Sequence, residues 1–210
     1  MPSAEVTVKL RDGSRLAIRP IRPDDKGAIA SGFQSLSAES RYRRFFAPVQ
    51  RLTENDLKYL TEVDHHNHEA LIGFDRANGR PVAAARFIRG ADPTEAEVAV
   101  TVVDEWHGRG VATAMLERLV ARAREEGIDH FVALVVSENK EALELFENLA
   151  AEGSPPPRRS KSGHLELVIE LPEPAEIPGS RLGGALRAAA RGVIMNPWRQ
   201  LSKSIGRHDP

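Results

Sequence analysis

The 210-residue sequence predicts an α/β (α+β) fold, a mixed sheet with helices on both faces, followed by a basic C-terminal helical tail. Three observations carry this. Short alternating apolar runs bounded by turn residues mark strands near both ends of the first 172 residues. Apolar stripes at helical spacing alternate with strand-like runs from position 95 onward. Charge is also uneven along the chain. From Gly179 to the end, Arg181, Arg187, Arg191, Arg199, Lys203 and Arg207 face only Asp209, a balance of +5, so with −1 overall the remainder carries −6. Pro172, Pro174 and Pro178 mark the boundary, dividing the chain into a domain at 1–172 and a linker and tail at 173–210.

The elements follow in order. Val6, Val8 and Leu10 alternate, Asp12-Gly13 turns the chain, and Leu16 and Ile18 alternate again, a hairpin. Pro23 suits the first position of a helix, Asp24 and Asp25 its positive end, and Ile29, Phe33 and Leu36 its inner face. Thr53 with Asp56 reads as a capping box, and Leu52 with Leu57 as a hydrophobic staple. Ala70–Phe74 and Pro81–Ile88 are strands joined by a turn containing Asn78-Gly79. In the run Glu95–Val103, Ala96, Val98, Val100 and Val102 point one way and Glu97, Ala99, Thr101 and Val103 the other. Ala112, Met115, Leu116, Leu119 and Ala123 line a helix whose outer side carries Glu117, Arg118, Arg122 and Arg124, and Gly127 ends it. His130–Val136 reads as a strand buried on both faces. A helix from about Asn139 with Ala142, Phe146, Leu149 and Ala150 inward, and a strand His164–Leu171, complete the domain.

Composition removes several function classes. A pI near 6.7 argues against a dedicated nucleic-acid binder. The absence of cysteine excludes disulfides, thiolate nucleophiles and Cys-ligated zinc. No apolar run reaches the roughly 20 residues that span a bilayer, and no apolar signal segment opens the chain, so the expected location is the cytoplasm.

The chemistry is expected at Val102-Val103-Asp104-Glu105-Trp106-His107-Gly108-Arg109-Gly110-Val111-Ala112. A strand ends, a Gly-x-Gly turn follows and a long helix begins, leaving free amides at a positive helix end where a phosphate or pyrophosphate can approach the main chain. It is neither a Walker loop, which needs Gly-Lys-Ser/Thr, nor the dinucleotide fingerprint, since Thr113 stands where the third glycine or alanine falls.

His107-Gly108-Arg109-Gly110-Val111-Ala112 resembles the pyrophosphate-binding turn of the GNAT superfamily of acetyl-CoA-dependent N-acetyltransferases, with His107 replacing the usual Gln or Arg. Asn139, Ala142 and Phe146 resemble its second CoA-binding segment. The resemblance covers about 5–171 and implies a mostly antiparallel twisted sheet. It also implies acetyl-CoA as cosubstrate, held by Val102, Val103, His107, Gly108, Arg109, Gly110, Val111, Ala112, Thr113, Asn139 and Phe146. The backbone amides around Val103 are expected to polarise the thioester. Phe146 stands where many members carry a tyrosine that protonates the leaving thiolate. Ser37–Phe46, Val63-Asp64 and His68-Glu69-Ala70-Leu71 are similar to bacterial protein lysine acetyltransferase domains, and the length implies such a domain standing alone. Protein lysine is therefore the leading acceptor. A small amine, or a CoA-sensing module without turnover, are the alternatives.

Glu97 is the expected general base, on the strand entering the turn and at the position of the relatives' catalytic glutamate; Glu95, on the same face, competes. Asp64-His65-His66-Asn67-His68 reads as a polar loop rather than a metal site. Arg41, Arg43 and Arg44 read as a solvated helix face over Tyr42, Phe45 and Phe46, His107 as a surface group, and Trp106 as a lid on the turn. Pro155-Pro156-Pro157-Arg158-Arg159 reads as a loop lining the acceptor site, where the family has a strand. In the tail, Leu182, Leu186, Ala190, Val193 and Ile194 form an apolar stripe among arginines. Docking on the acidic domain or exchange in a homodimer is preferred there to membrane attachment.

Overall fold

The computed structural model describes residues 5–149, 154–159 and 164–172. Their strands form one eight-stranded sheet in the order β1-β2-β3-β4-β5-β6-β8-β7. β1 (Val6–Lys9) and β2 (Arg15–Pro20) form the expected hairpin, pairing Val6 with Ile18. Gly13 takes φ +87°, and the Asp12 carboxylate accepts from the Ser14 amide at 2.9 Å, which closes the turn. β3 (His68–Asp75) and β4 (Pro81–Arg89) form the second hairpin around Gly79 at φ +70°. β5 (Glu95–Val102) pairs antiparallel with β4 and parallel with β6 (His130–Val135), and β8 (Leu165–Glu170) returns antiparallel to β6. The β5–β6 pair is thus the one parallel step in a mostly antiparallel sheet.

Alternation along the strands assigns the two faces. Ile72, Ala84, Arg86, Glu97 and Thr101 share the face covered by α1 (Lys26–Gln34), α2 (Ala38–Phe45) and α3 (Glu54–Thr61). Gly73, Ala85, Val98, Val100 and Phe131 share the other, under α4 (Val111–Glu125) and α5 (Lys140–Leu149). Gly73 packs closely there: a Cβ would lie 3.2 Å from both Met115 Sδ and Leu16 Cδ1, so those side chains would have to give by a few tenths of an ångström. Burial of Val98, Val100, Met115, Leu116, Leu119, Phe131 and Phe146 to 1 % exposure or less makes this the main core. The α3 cap is as expected: Thr53 Oγ1 accepts from the Asp56 amide at 3.2 Å, and Asp56 Oδ2 from the Thr53 amide at 2.8 Å.

Several expectations change. Pro23–Asp25 is a separate 3₁₀ turn before α1, because Asp25 faces back to accept from both terminal nitrogens of Arg19, at 2.7 and 2.6 Å, and from the Arg22 amide. Leu36 is buried but lies beyond the end of α1. β6 is not buried on both sides; His130 and Val132 are half-buried, since no helix covers that face beside β8. The polyproline stretch leads into a two-residue strand, β7 (Arg158–Arg159), paired with β8 through Arg158 and Glu166 and exposed at the sheet edge, so it does not line the central cleft. Arg122 and Arg124, expected outside α4, fold inward onto partners described below. Among the described residues no helix is long and apolar enough to cross a membrane. Ala150, the linker and the basic tail with its apolar stripe lie outside the described residues.

Candidate active site

The junction between β5 and α4 is built from main chain. A 3₁₀ turn, Asp104–Trp106, follows β5, and Gly108 and Gly110 take φ +73° and +89°, a region open to glycine at little cost. Gly110 is the N-cap of α4, makes no side-chain cap, and the first turn of the helix carries no acidic residue. The leading amides therefore face outward at the positive end of a 15-residue helix. Arg109 does not reach over this opening. Its guanidinium stacks 4.6 Å from the Trp106 ring and donates to Asp12 at 3.1 Å and to the Glu105 carbonyl at 2.8 Å. Trp106 is correspondingly buried beneath Arg109 rather than acting as a lid. His107 is not a surface group: its Nε2–H donates to the Val102 carbonyl at 2.9 Å, fixing the tautomer and closing the turn. Asp104 ties the turn to α2, accepting from the Ser37 amide and the hydroxyls of Ser37 and Ser40 at 2.8–2.9 Å.

Beside the turn the sheet opens. The β5–β6 ladder runs only from Glu95–His130 to Glu97–Val132. The Val103 amide donates to the Val82 carbonyl of β4 at 2.9 Å, so it is committed to the sheet and not available to a thioester. Peptide groups alternate along an extended strand, which turns the amides of Val100 and Val102 to the β6 side, beyond the end of the ladder. The groove thus offers Val102 and Val100, not Val103, as donors. Asn139, buried to 1 % exposure, caps α5 by accepting from the Ala142 amide at 3.2 Å. Its Nδ2 is also buried and has no acceptor among the described residues, which is the signature of a donor kept for a ligand or water. Glycines, outward amides, an open groove and this donor fit an extended, diphosphate-bearing ligand. Phe146 is fully buried and belongs to the core.

On the opposite face, half-buried Glu97 lines a cleft of about 510 Å³ with Tyr59, Arg89, Glu95, Val132 and Glu166. Glu95 lies 3.5 Å from His130 Nε2 at the start of the strand. Two arginines sit behind Glu97. Arg44, expected on a solvated helix face, is 5 % exposed, whereas Tyr42, expected beneath, is 47 % exposed. The reason is the period of α2: Ser40, Arg44 and Phe45 share the stripe that meets the sheet. Arg41 covers the Phe33 ring at 4.8 Å and donates to the Gln34 carbonyl, while Arg43 pairs with Glu39. Arg86 of β4, 3 % exposed and not singled out from the sequence, donates to His68 Nε2 at 3.1 Å and to the Leu60 carbonyl at 3.2 Å. Burial and the nearby Arg86 hold His68 near a pKa of about 3, so its ring is neutral. Burial raises the Tyr59 phenol above its usual range, opposed by Arg86 and helped by Glu97.

The Asp64–His68 loop is polar, as expected. Asp64 accepts from the amides of His66, Asn67 and His68 at 2.8–2.9 Å. The histidines diverge to separate partners: His65 to Glu69 at 2.7 Å, His66 to Glu126, and His68 to Arg86. Glu69, 1 % exposed, also pairs with Arg122 Nε at 3.1 Å, and Arg122 meets Glu125 and Glu126. Arg124 donates to the Leu171 carbonyl at 2.7 Å and pairs with Asp129. The one signal for Glu69 is a charge directly preceding the apolar run Ala70–Phe74.

A family model described as Acetyltransferase (GNAT) family matches residues 34–150, more than half of the chain and including the whole β5–α4 junction. The chain belongs to the GNAT acetyltransferase family. Enzymes of this family use acetyl-CoA as cosubstrate, and the site's geometry fits it. The GNAT domain of S. lividans PAT, a crystal structure, is 36% identical to this chain with a TM-score of 0.72, covering 80% of it and 97% of that domain. Acetyltransferase Pat of Mycolicibacterium smegmatis is 35% identical over 191 residues, 90% of this chain; the chain spans 56% of the length of Pat. yncA of Salmonella typhimurium, solved with its cofactor acetyl-CoA, shares the fold at 22% identity and a TM-score of 0.59, over 79% of this chain and 99% of that one.

Proposed function

We propose that this GNAT domain transfers an acetyl group from acetyl-CoA to a protein lysine, with Glu97 as general base. The observation that carries this reading is the place of Glu97: a half-buried carboxylate in the cleft on one face of β5, level with the last rung of the β5–β6 ladder. Acetyl-CoA supplies the acetyl group as a thioester when bound. The outward amides of the Gly108–Gly110 turn then meet its diphosphate, and the amides of Val100 and Val102 lie along the groove. A lysine ammonium, with an ordinary pKa of about 10.4, must shed a proton before it attacks, and Glu97 takes it directly or through one water. The new N–C bond forms as the C–S bond breaks. Phe146 has no proton to give, and the thiol's ordinary pKa of about 8.5 lets the thiolate depart and be protonated by water. Holding both reactants across one strand supplies much of the acceleration.

The names of the similar proteins, Pat and PAT, support an acetyltransferase of this kind, and the Ser37–Phe46 resemblance supports protein as acceptor. One observation favours a second acceptor class: among the described residues Glu95, Glu97 and Glu166 line the cleft against Arg89 alone, which suits a polyamine as well as a lysine in a basic segment. Turnover of a lysine peptide measured beside spermidine separates the two. Glu97→Gln is expected to lower turnover by about 10²- to 10⁴-fold while leaving acetyl-CoA affinity within a few-fold. Undiminished turnover, or loss of acetyl-CoA binding instead, removes Glu97 as the base.

A further inference from the structure

The strand registers carry one row of side chains across the sheet on the face of Glu97. His68 of β3 pairs with Ile88 of β4, Ile88 with Glu97 of β5, Glu97 with Val132 of β6, and Val132 with Val168 of β8. Paired residues point to the same face, so these side chains stand abreast, about 4.8 Å from strand to strand. All of them are half-buried, and Ile88, Glu97, Val132 and Val168 line the cleft.

The row differs on the two sides of Glu97. Towards β8 the floor is Val132 and Val168, apolar and half-buried at the open side of the cleft. Towards β3 the floor is Ile88 and then His68, and here α3 sends Tyr59 into the cleft. The Tyr59 ring packs on the His68 ring at 5.2 Å between centroids, inclined by 45°. Arg86 secures both neighbours of that ring. It donates to His68 Nε2 at 3.1 Å and to the carbonyl of Leu60, the next residue of α3, at 3.2 Å. The capping box of Thr53 and Asp56 fixes the start of the same helix. An aromatic wall held in this way is preorganised, so little ordering is needed when a ligand packs on it.

A track of this shape suits one kind of acceptor. An unbranched alkyl chain laid over Val168 and Val132 buries its methylenes and carries a terminal nitrogen to Glu97. Beyond Glu97 the nitrogen meets the face of Tyr59, whose electron-rich surface attracts an ammonium that still holds its proton. We propose that Tyr59 is the specificity-determining residue for the acceptor: its ring ends the apolar track beside Glu97 and so selects a linear amine of lysine length. The inference rests on the acetyl-transfer reading with Glu97 as base and adds to it the group that measures the acceptor. From Val168 to Glu97 is two strand spacings, roughly 10 Å, room for the four-carbon stem of a lysine and the backbone that bears it. A stem one methylene shorter leaves its nitrogen short of Glu97, and a longer one strikes the ring.

Initial rates are measured for the full chain with acetyl-CoA and three versions of one peptide, bearing lysine, ornithine or homolysine. The expected kcat/KM is about 10-fold or more higher for lysine than for either neighbour, the range that one methylene commands in an apolar pocket. Tyr59→Phe keeps the ring and is expected to preserve that pattern. Tyr59→Ala is expected to raise KM for the lysine peptide by about 10-fold or more, leave kcat within a few-fold, and let homolysine match lysine. Acetyl-CoA affinity, expected to be unchanged, reports that this variant is folded. If it fails to fold, Tyr59→Trp keeps an aromatic ring on His68 and advances the wall towards Glu97, which should shift the preference from lysine towards ornithine. Equal use of the three peptides by the unaltered chain, an unchanged KM in Tyr59→Ala, a loss confined to kcat, or an unshifted preference in Tyr59→Trp overturns the proposal. So does Tyr59→Phe as impaired as Tyr59→Ala. Any of these alongside turnover that is lost in Glu97→Gln leaves the Glu97 reading standing, whereas no turnover of any peptide by the unaltered chain removes both.

Discussion

The two ends of α4 solve opposite problems by opposite means. At its N-terminus no side chain caps the helix and no acid sits in the first turn, so outward amides and two glycines in left-handed conformation present bare main chain. At its C-terminus Arg122 and Arg124 occupy the last turn and are tied down by Glu69, Glu126, Asp129 and the Leu171 carbonyl. Both ends follow the helix dipole, which favours anions at the first and cations at the second. The protein satisfies one end through side chains and leaves the other without a side-chain cap. A site made of backbone tolerates side-chain change wherever φ is unaffected, whereas a buried ion cluster tolerates the loss of no partner.

The harshest way to break that contrast is Glu69→Ala. It leaves Arg122 and His65 without their buried carboxylate and is expected to cost about 3–5 kcal/mol in chemical denaturation. A cost below about 1 kcal/mol would mean that the cluster is solvated in practice. Next comes Gly110→Val. Space is available, the nearest atom to a Cβ being Arg11 Nε at 3.9 Å, but φ +89° excludes a β-branched residue. About 1–3 kcal/mol of stability and at least 10-fold in acetyl-CoA affinity should be lost together. Unchanged affinity would move the anion site away from this turn.

His68 sharpens the comparison through pH. Its pKa lies at about 3 when folded against 6.5 ordinarily, so between those values the unfolded chain binds a proton that the folded chain refuses. Its contribution to stability is whole above about 6.5 and is lost as pH falls towards 3. His68→Asn should flatten the stability profile over that window, and an unaltered slope would assign it to other groups. The smallest effect is expected from Arg109→Ala. The Arg109–Asp12 pair is more than a third exposed on both sides, so about 0–1 kcal/mol should be lost, with acetyl-CoA affinity little changed because the turn offers backbone. A large loss of affinity would show that Arg109 swings back over the ligand.

The same contrast explains what could be read in advance. The hairpins at Asp12-Gly13 and Asn78-Gly79, the Thr53 cap and the Gly108–Gly110 turn all depend on neighbours within a few residues, and each stands where the sequence places it. Arg86, Glu69 and Arg122 escaped notice or were placed on the wrong side, because a charge inside a strand or at a helix end looks solvent-facing until a distant partner is known. Arg44 and Tyr42 exchanged roles for a related reason: in an eight-residue helix about half a turn of rotation decides which side chain meets the sheet, and polarity alone chose the wrong one. Val103 shows the limit at the scale of one peptide group, since its amide is committed to Val82 only once β4 lies alongside.

By itself the sequence determined the element order, the glycine turn ahead of a long amphipathic helix and the candidate base on the strand before it, since local backbone preference and periodicity suffice for these. Tertiary structure alone decided that the β5–β6 ladder stops at Glu97, that the amides of Val100 and Val102 face the gap, and that two arginines lie buried behind Glu97. Those outcomes depend on which strands diverge and on which charges are brought together far from water, and no local pattern encodes a distance between residues remote in the chain.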